Sequence, residues 1–153
     1  MTTKDILKSL NINLPEAPKP VGSYVAYKHV GKLIFVSGQV SFREDGVLMK
    51  GKIGSDLSLE QGQVAAKACA INILSQVRAA CDGDLEKVKN CVKITGFVNS
   101  IDSFTEQPKI INAASELLVK VFGEKGMHSR AAVSVNSLPL GAAVEIEAIF
   151  EVI

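Results

Sequence analysis

The sequence predicts an α+β fold in which two helices pack on one face of a mixed six-stranded sheet. Two observations carry this prediction. Six short segments are continuously apolar or alternate between apolar and polar residues, as strands do, and two long segments carry apolar residues at helical spacing. Their order is βββ-α-β-α-ββ. With 153 residues, of which 47% are hydrophobic and 22% charged, we expect a single domain over residues 1–153.

Residues 1–22 are expected to form an N-terminal arm. Apolar residues at positions 6, 7 and 10 lie at helical spacing. The segment that follows cannot continue a helix and favours an extended chain lying on the body of the domain. The prolines responsible are Pro15, Pro18 and Pro20.

Three strands are predicted before the first long helix. Residues 23–30 form the first. The run "KLIFVSG", residues 32–38, is continuously apolar over its first half, which is typical of a strand buried on both faces. A third and shorter strand is expected over residues 46–54, after the turn "REDG".

The first long helix is predicted over residues 58–83. Ser58 and Gln61 form a capping box at its start, and Gly83 is placed to end it. One apolar stripe should face the core. Its members are Val64, Ala68, Ile71, Leu74 and Cys81.

The second half of the chain alternates strands with one more helix. Residues 87–100 alternate as a strand, and a helix is expected over about 104–122 with Pro108 in or before its first turn. Two strands follow, over about 129–136 and 143–152. With both helices on one face, the other face of the sheet needs a cover, so we expect an oligomer.

Charge and composition argue against several classes of partner. The net charge is +1, so there is no basic surplus to bind a phosphate backbone or an anionic membrane surface. The N-terminus carries Lys4, Asp5 and Lys8, which is not typical of a signal peptide. No segment reaches the roughly 20 apolar residues that a membrane span needs. We expect a cytoplasmic protein without nucleic-acid or membrane partners.

The cysteines and histidines do not predict a metal site. The three cysteines are odd in number and lack CxxC spacing, so we interpret them as reduced thiols. The two histidines have no neighbouring ligand at metal spacing. We therefore expect neither a metal nor a cofactor.

The closing segment, "HSRAAVSVNSLPLGAAVEIEAIFEVI", raises the functional question. It alternates as buried strands do, yet it contains Arg130, Glu145 and Glu147. Each has an ordinary explanation, since an arginine at a strand start is usually a surface charge and two glutamates on one strand face can mark a solvated edge. If the last two strands pair about a turn near Leu138, Arg130 would lie opposite Glu145.

Four segments together resemble the RidA/YjgF family of small enamine/imine deaminases. They are "VGSYVAY", "FVSGQV", "INAASELL" and "SRAAVSVNSLPLGAAVEIEAI". The last contains the family's R-x-x-V-x-V-x-x-L-P and E-I-E-A-I at the family's spacing, which is a specific combination. The resemblance covers about residues 20–153 and leaves out the arm. It implies a chorismate-mutase-like fold and a homotrimer with its sites between subunits.

The resemblance also implies roles for individual residues. Arg130 corresponds to the arginine that grips the substrate carboxylate, and Glu145 to the glutamate that handles the attacking water. Two positions depart from the family pattern: Ser23 replaces a common proline, and Ala132 replaces a common cysteine whose contribution is mainly its backbone. The further substrate-binding positions that it implies are Tyr24, Ser37, Gly38, Asn112 and Ala132.

These residue types suit the hydrolysis of a 2-imino acid to a 2-keto acid and ammonia. A guanidinium offers two parallel N–H donors to a carboxylate, and a carboxylate with a raised pKa can orient a water and accept its proton. Two other functions stay open. One is a non-catalytic protein that binds or senses small carboxylates, for which Glu145 has no purpose. The other is an endoribonuclease, which would favour a histidine pair or a basic cleft that the sequence does not indicate.

Overall fold

The computed structural model describes residues 1–153. Three helices and five strands form the framework, joined by short 3-10 turns at Leu85–Lys87, Gly123–Gly126 and Pro139–Gly141. In chain order the main elements are α1 (Thr3–Ser9), β1 (Tyr27–Val30), β2 (Leu33–Val40), α2 (Leu59–Ala80), β3 (Val88–Asn99), α3 (Gln107–Phe122), β4 (Ser129–Val135) and β5 (Val144–Val152).

The strands form one mixed sheet in the order β1-β2-β5-β3-β4. β3 and β4 are parallel, because α3 connects them as a crossover, and the other three pairs are antiparallel. Helices α2 and α3 pack against each other and on one face of this sheet. The predicted α+β architecture and its mixed sheet are therefore confirmed.

The prediction of six strands is wrong by one. Residues 46–54 do not form a strand and make only single-residue bridges to their surroundings. The reason is their backbone, because Gly46, Gly51 and Gly54 take φ values of +82°, +125° and +100° and break the pleat. The segment instead crosses the ends of β3 and β5, where Lys50 bridges Ala142 and Ile53 bridges Ser100.

The core lies between the sheet and the two long helices. In β5 the alternation buries Val144, Ile146, Ala148 and Phe150 towards the helices and turns the glutamates to the other face. Ser58 and Gln61 form the predicted capping box of α2. Of the predicted α2 stripe only Val64 is exposed, since α2 is buried by the sheet on one side and by α3 on another.

The N-terminal arm is anchored to the body of the domain. Leu7 in α1 and Ile12 just after it are buried in the main hydrophobic cluster. The extended part is held by side chains of α2, because Arg78 Nη2 donates to the carbonyls of Leu14 and Pro15, both at 3.3 Å. Gln76 Nε2 donates to the carbonyl of Pro18 at 2.6 Å.

The three cysteines are unpaired and buried, and burial raises the pKa of Cys91 to about 12. None of the helices combines the length and the apolar character that a bilayer span requires.

Candidate functional site

A cavity of about 370 Å³ opens beside the start of β5. Glu145, Gly38 and Tyr24 line it, and residues 18–21 of the arm close one side of it. Leu140, which is 69% exposed and has a φ of +62°, lies at its edge. Three of the residues expected to form the site therefore meet in one cavity, and the arm belongs to its wall.

Glu145 reaches this cavity because β2 is irregular opposite it. The register between β2 and β5 shifts between Val36 and Gln39, and Gly38 lies in that bulge. A Cβ on Gly38 would lie 2.5 Å from Oε2 of Glu145, so only glycine leaves room for the carboxylate.

The Glu145 carboxylate makes no hydrogen bond and no ion pair within the chain. Its pKa is raised above the ordinary value of 4.5, first by partial burial and second by repulsion from Glu147 on the same face. A half-buried carboxylate without a partner, held against a cavity, is suited to accept a proton from a bound water.

Ser37 and Tyr24 shape the rim of the cavity. Ser37 Oγ donates to the carbonyl of Val25 at 2.7 Å, so its side chain fixes the segment after the arm instead of lining the cavity. Tyr24, next to that segment, is 54% exposed.

The second group of expected site residues lies at β4, the edge strand next to β3. Arg130 Nη1 donates to Asn112 Oδ1 at 2.8 Å, and no acidic side chain pairs with the guanidinium. Its Nε and Nη2 groups make no hydrogen bond within the chain. Ala132 follows two residues later on the same face of β4 and packs against the core. The guanidinium is thus partly buried, oriented and free to bind an anion.

Two further residues contact this group, and neither was among the expected site residues. Arg130 Nη1 also donates to Ser115 Oγ at 3.2 Å, and Ser115 Oγ lies 2.8 Å from Nε2 of His128. Their positions in the sequence could have indicated this contact, because Ser115 is one turn after Asn112 on α3 and His128 lies two residues before Arg130.

The two groups lie apart in one chain, and the prediction that Arg130 lies opposite Glu145 is wrong. β4 and β5 do not pair, because β3 lies between them: Arg130 is level with Ile94, whereas Glu145 is level with Phe97. Two strand spacings and three residues along the strand separate their Cα atoms by about 14 Å. Arg130 lies on the helix-covered face and Glu145 on the opposite face.

Comparison with known proteins agrees with this fold. Residues 5–151 match the family model described as "YjgF/chorismate_mutase-like, putative endoribonuclease", so the match takes in most of the arm. Protein TCP17 of Trypanosoma cruzi is 48% identical over 95% of this chain and 91% of its own length. A 2-iminobutanoate/2-iminopropanoate deaminase of Dermatophagoides farinae is 26% identical over 90% of this chain and 92% of its own.

A solved structure from Agrobacterium tumefaciens, of a protein with unknown function, superposes with a TM-score of 0.92. It is 42% identical, and the alignment covers 99% of this chain and 94% of that one, so the arm is included. Together with the family model, which spans nearly the whole sequence, this similarity shows that the chain belongs to the RidA/YjgF family.

Proposed function

We propose that the protein hydrolyses reactive 2-enamino and 2-imino acids to 2-keto acids and ammonia. One observation carries the proposal: Arg130 and Glu145, the two charged residues that the family pattern selects, are both partly buried, and neither has a counter-ion in the chain. Evolution rarely leaves opposite charges half-buried and unpaired without a ligand to meet them.

Arg130 binds the substrate carboxylate. Both N–H bonds of Nη1 have acceptors in Asn112 and Ser115, which sets the plane of the guanidinium. The Nε and Nη2 edge keeps three N–H donors, and two of them can meet the two carboxylate oxygens in parallel. This contact aims the adjacent C=N carbon in a fixed direction.

Glu145 orients the attacking water and accepts its proton. The carboxylate accepts a proton from the water as the water oxygen attacks the C=N carbon, and it passes this proton to the imine nitrogen, which gives a carbinolamine. In the second step it takes the proton of the hydroxyl group and gives it to the amine nitrogen as the C–N bond breaks. The carbinolamine then collapses to the keto group and releases ammonia, so one imino acid and one water give one keto acid and one ammonia. Free imines hydrolyse readily, so positioning by side chains supplies what the reaction needs.

The complete site is shared between two copies of the chain in a homotrimer. Within one chain Arg130 and Glu145 lie on opposite faces of the sheet, too far apart for one small substrate. The face that carries Glu145 also exposes Phe35 and Val133, at 40% and 45%, which a second copy would cover. A small cyclic assembly brings the β4 edge of one subunit to the Glu145 cavity of the next.

The similarity to a curated deaminase over 90% of the chain supports the same chemistry. Binding of small carboxylates without turnover would use Arg130 equally well, but it gives Glu145 no task and places a negative charge near an anionic ligand.

The test is the release of 2-keto acid from imines that an amino-acid oxidase generates in situ. The wild type should accelerate release, and Arg130→Ala should lose about a hundredfold or more of that acceleration. Arg43→Ala removes an exposed arginine that pairs with Asp45 and does not line the Glu145 cavity, so it should match the wild type. A wild-type rate equal to the uncatalysed one, together with tight keto-acid binding, would replace the proposal with a binding function.

A further inference from the structure

Besides its bond to Asn112, Arg130 is held by a separate chain of hydrogen bonds. Its Nη1 donates to Ser115 Oγ at 3.2 Å, Ser115 Oγ lies 2.8 Å from His128 Nε2, and His128 Nδ1 lies 2.6 Å from the carbonyl oxygen of Gly126. The chain therefore links the guanidinium to the backbone of the loop before β4.

The chemistry of the groups decides which is the donor and which is the acceptor in each hydrogen bond. A carbonyl only accepts, so the Gly126 oxygen requires the proton of neutral His128 to be on Nδ1. Nε2 is then an acceptor, and the single hydrogen of the Ser115 hydroxyl points to it. The lone pairs of Ser115 Oγ are consequently turned towards Arg130, which donates to them.

Gly126 makes this geometry possible. A Cβ at residue 126 would collide with the backbone carbonyl of Leu118, so the glycine lets the loop Gly123–Gly126 lie directly on α3. That close approach brings the Gly126 carbonyl and the His128 ring to the level of Ser115 on α3.

His128 changes what Ser115 can do for Arg130. A helical serine without another partner bonds the carbonyl four residues earlier, which turns its oxygen back along its own helix. With Nε2 of His128 as its acceptor, the Ser115 hydroxyl faces outwards and serves as the second acceptor for Nη1. Without His128, one N–H of the partly buried Arg130 guanidinium loses its acceptor, and the guanidinium rotates more freely.

We propose that Ser115 and His128 are positioning residues that fix the guanidinium of Arg130 so that its Nε and Nη2 edge meets the substrate carboxylate. This inference rests on the proposed function for its consequence in catalysis. Neither residue touches the substrate; both act through Arg130.

Calorimetric titration of the assembled protein with 2-oxobutanoate tests this, with variants that separate the two hydrogen bonds of His128. Ser115→Ala should raise Kd about tenfold, and Ser115→Thr, which keeps the hydroxyl, should stay close to the wild type. His128→Gln keeps an acceptor near the Nε2 position, whereas His128→Asn keeps only a donor near Nδ1. We expect the glutamine variant to bind almost normally and the asparagine variant to bind as weakly as His128→Ala.

A control variant at a distant serine should leave the Kd unchanged. Ser103→Ala removes an exposed serine that makes no hydrogen bond and should not change Kd. Normal binding by Ser115→Ala, or rescue by His128→Asn but not by His128→Gln, would overturn the positioning role and indicate simple anchoring of the loop. Equal binding by Arg130→Ala and wild type would instead refute the proposed function.

NMR of the protein without ligand tests the role of Ser115 even if Arg130→Ala and the wild type bind the keto acid equally. With ¹⁵N-labelled arginine, NMR should show separate Nη1 and Nη2 signals for Arg130 in the wild type, because rotation of the guanidinium is hindered. The two signals should merge in Ser115→Ala and stay separate in Ser115→Thr. Separate signals in Ser115→Ala would overturn the inference whether or not a keto acid binds.

Discussion

The Glu145 carboxylate occupies the space that a side chain on residue 38 would fill. An ideal Cβ on Gly38 lies 2.5 Å from Oε2 and 2.9 Å from Cδ of Glu145. The bulge in β2 brings the two positions together, so a glycine at residue 38 has a steric purpose.

Gly38→Ala should therefore displace the carboxylate without unfolding the protein. The colliding atoms are the end of a flexible side chain, which can move, and the backbone of Gly38 has no positive φ. A shift of about 1 Å should lower kcat/KM about a hundredfold. Keto-acid release and the thermal unfolding midpoint are the measurements. Full activity in a folded Gly38→Ala variant would mean that the position of Glu145 does not matter.

The pH profile should report the raised pKa of Glu145. The carboxylate must be ionised to accept a proton, so activity falls as the pH drops through this pKa, at a higher pH than for an ordinary glutamate of 4.5. Glu147→Gln removes the second cause of the shift and should move the acid limb of kcat/KM to lower pH, while burial still holds it above the ordinary value.

Glu151→Gln is the matched control for this experiment. Residue 151 lies on the same face of β5, bonded to Asn90, and does not contribute to the shift at Glu145. An equal movement of the acid limb in both variants, or a movement to higher pH in Glu147→Gln, would contradict the assignment.

Asn112 should affect binding of the substrate carboxylate through Arg130. Asn112→Ala removes the acceptor at 2.8 Å and should raise the Kd for a keto acid about tenfold. Asn112→Asp should weaken binding further, because its carboxylate would pair with the guanidinium and compete with the ligand. Direct titration measures both. Tighter binding in Asn112→Asp would show that the guanidinium does not receive the ligand's carboxylate.

The arm should influence the affinity for substrate. Gln76 is almost fully buried, and its Nε2 holds the Pro18 carbonyl beside the cavity. Gln76→Leu keeps the volume but cannot donate, so residues 18–21 should loosen and KM should rise roughly threefold or more with kcat little changed. Gln63→Leu removes an exposed hydrogen bond from the same helix to the carbonyl of Lys109 on α3 instead of to the arm, and it should leave KM unchanged. An unchanged KM in both variants would limit the arm to a structural role.

Much of this arrangement follows from local sequence patterns. Alternation through residues 143–152 predicted that Glu145 and Glu147 share one face of their strand, as they do, and the capping box at Ser58 predicted the start of α2. The predicted third strand failed because Gly46, Gly51 and Gly54 take positive φ values that an apolar run does not reveal.

The placement of Arg130 relative to Glu145 could not be predicted from local sequence patterns. Proximity in sequence suggested that the last two strands pair, but β4 adds to β3 in parallel after the α3 crossover, and β5 lies on the other side of β3. The contact between Ser115 and His128 depends on how closely the loop at Gly126 approaches α3, which is a tertiary feature.

Subunit mixing tests the central claim, that Arg130 of one copy and Glu145 of the next form one site. Arg130→Ala and Glu145→Gln should each be inactive alone. Assembled together in equal amounts, they should regain about a quarter of the wild-type activity, since about one interface in four combines both intact residues. A co-assembled mixture as inactive as its parents would contradict a site shared between subunits.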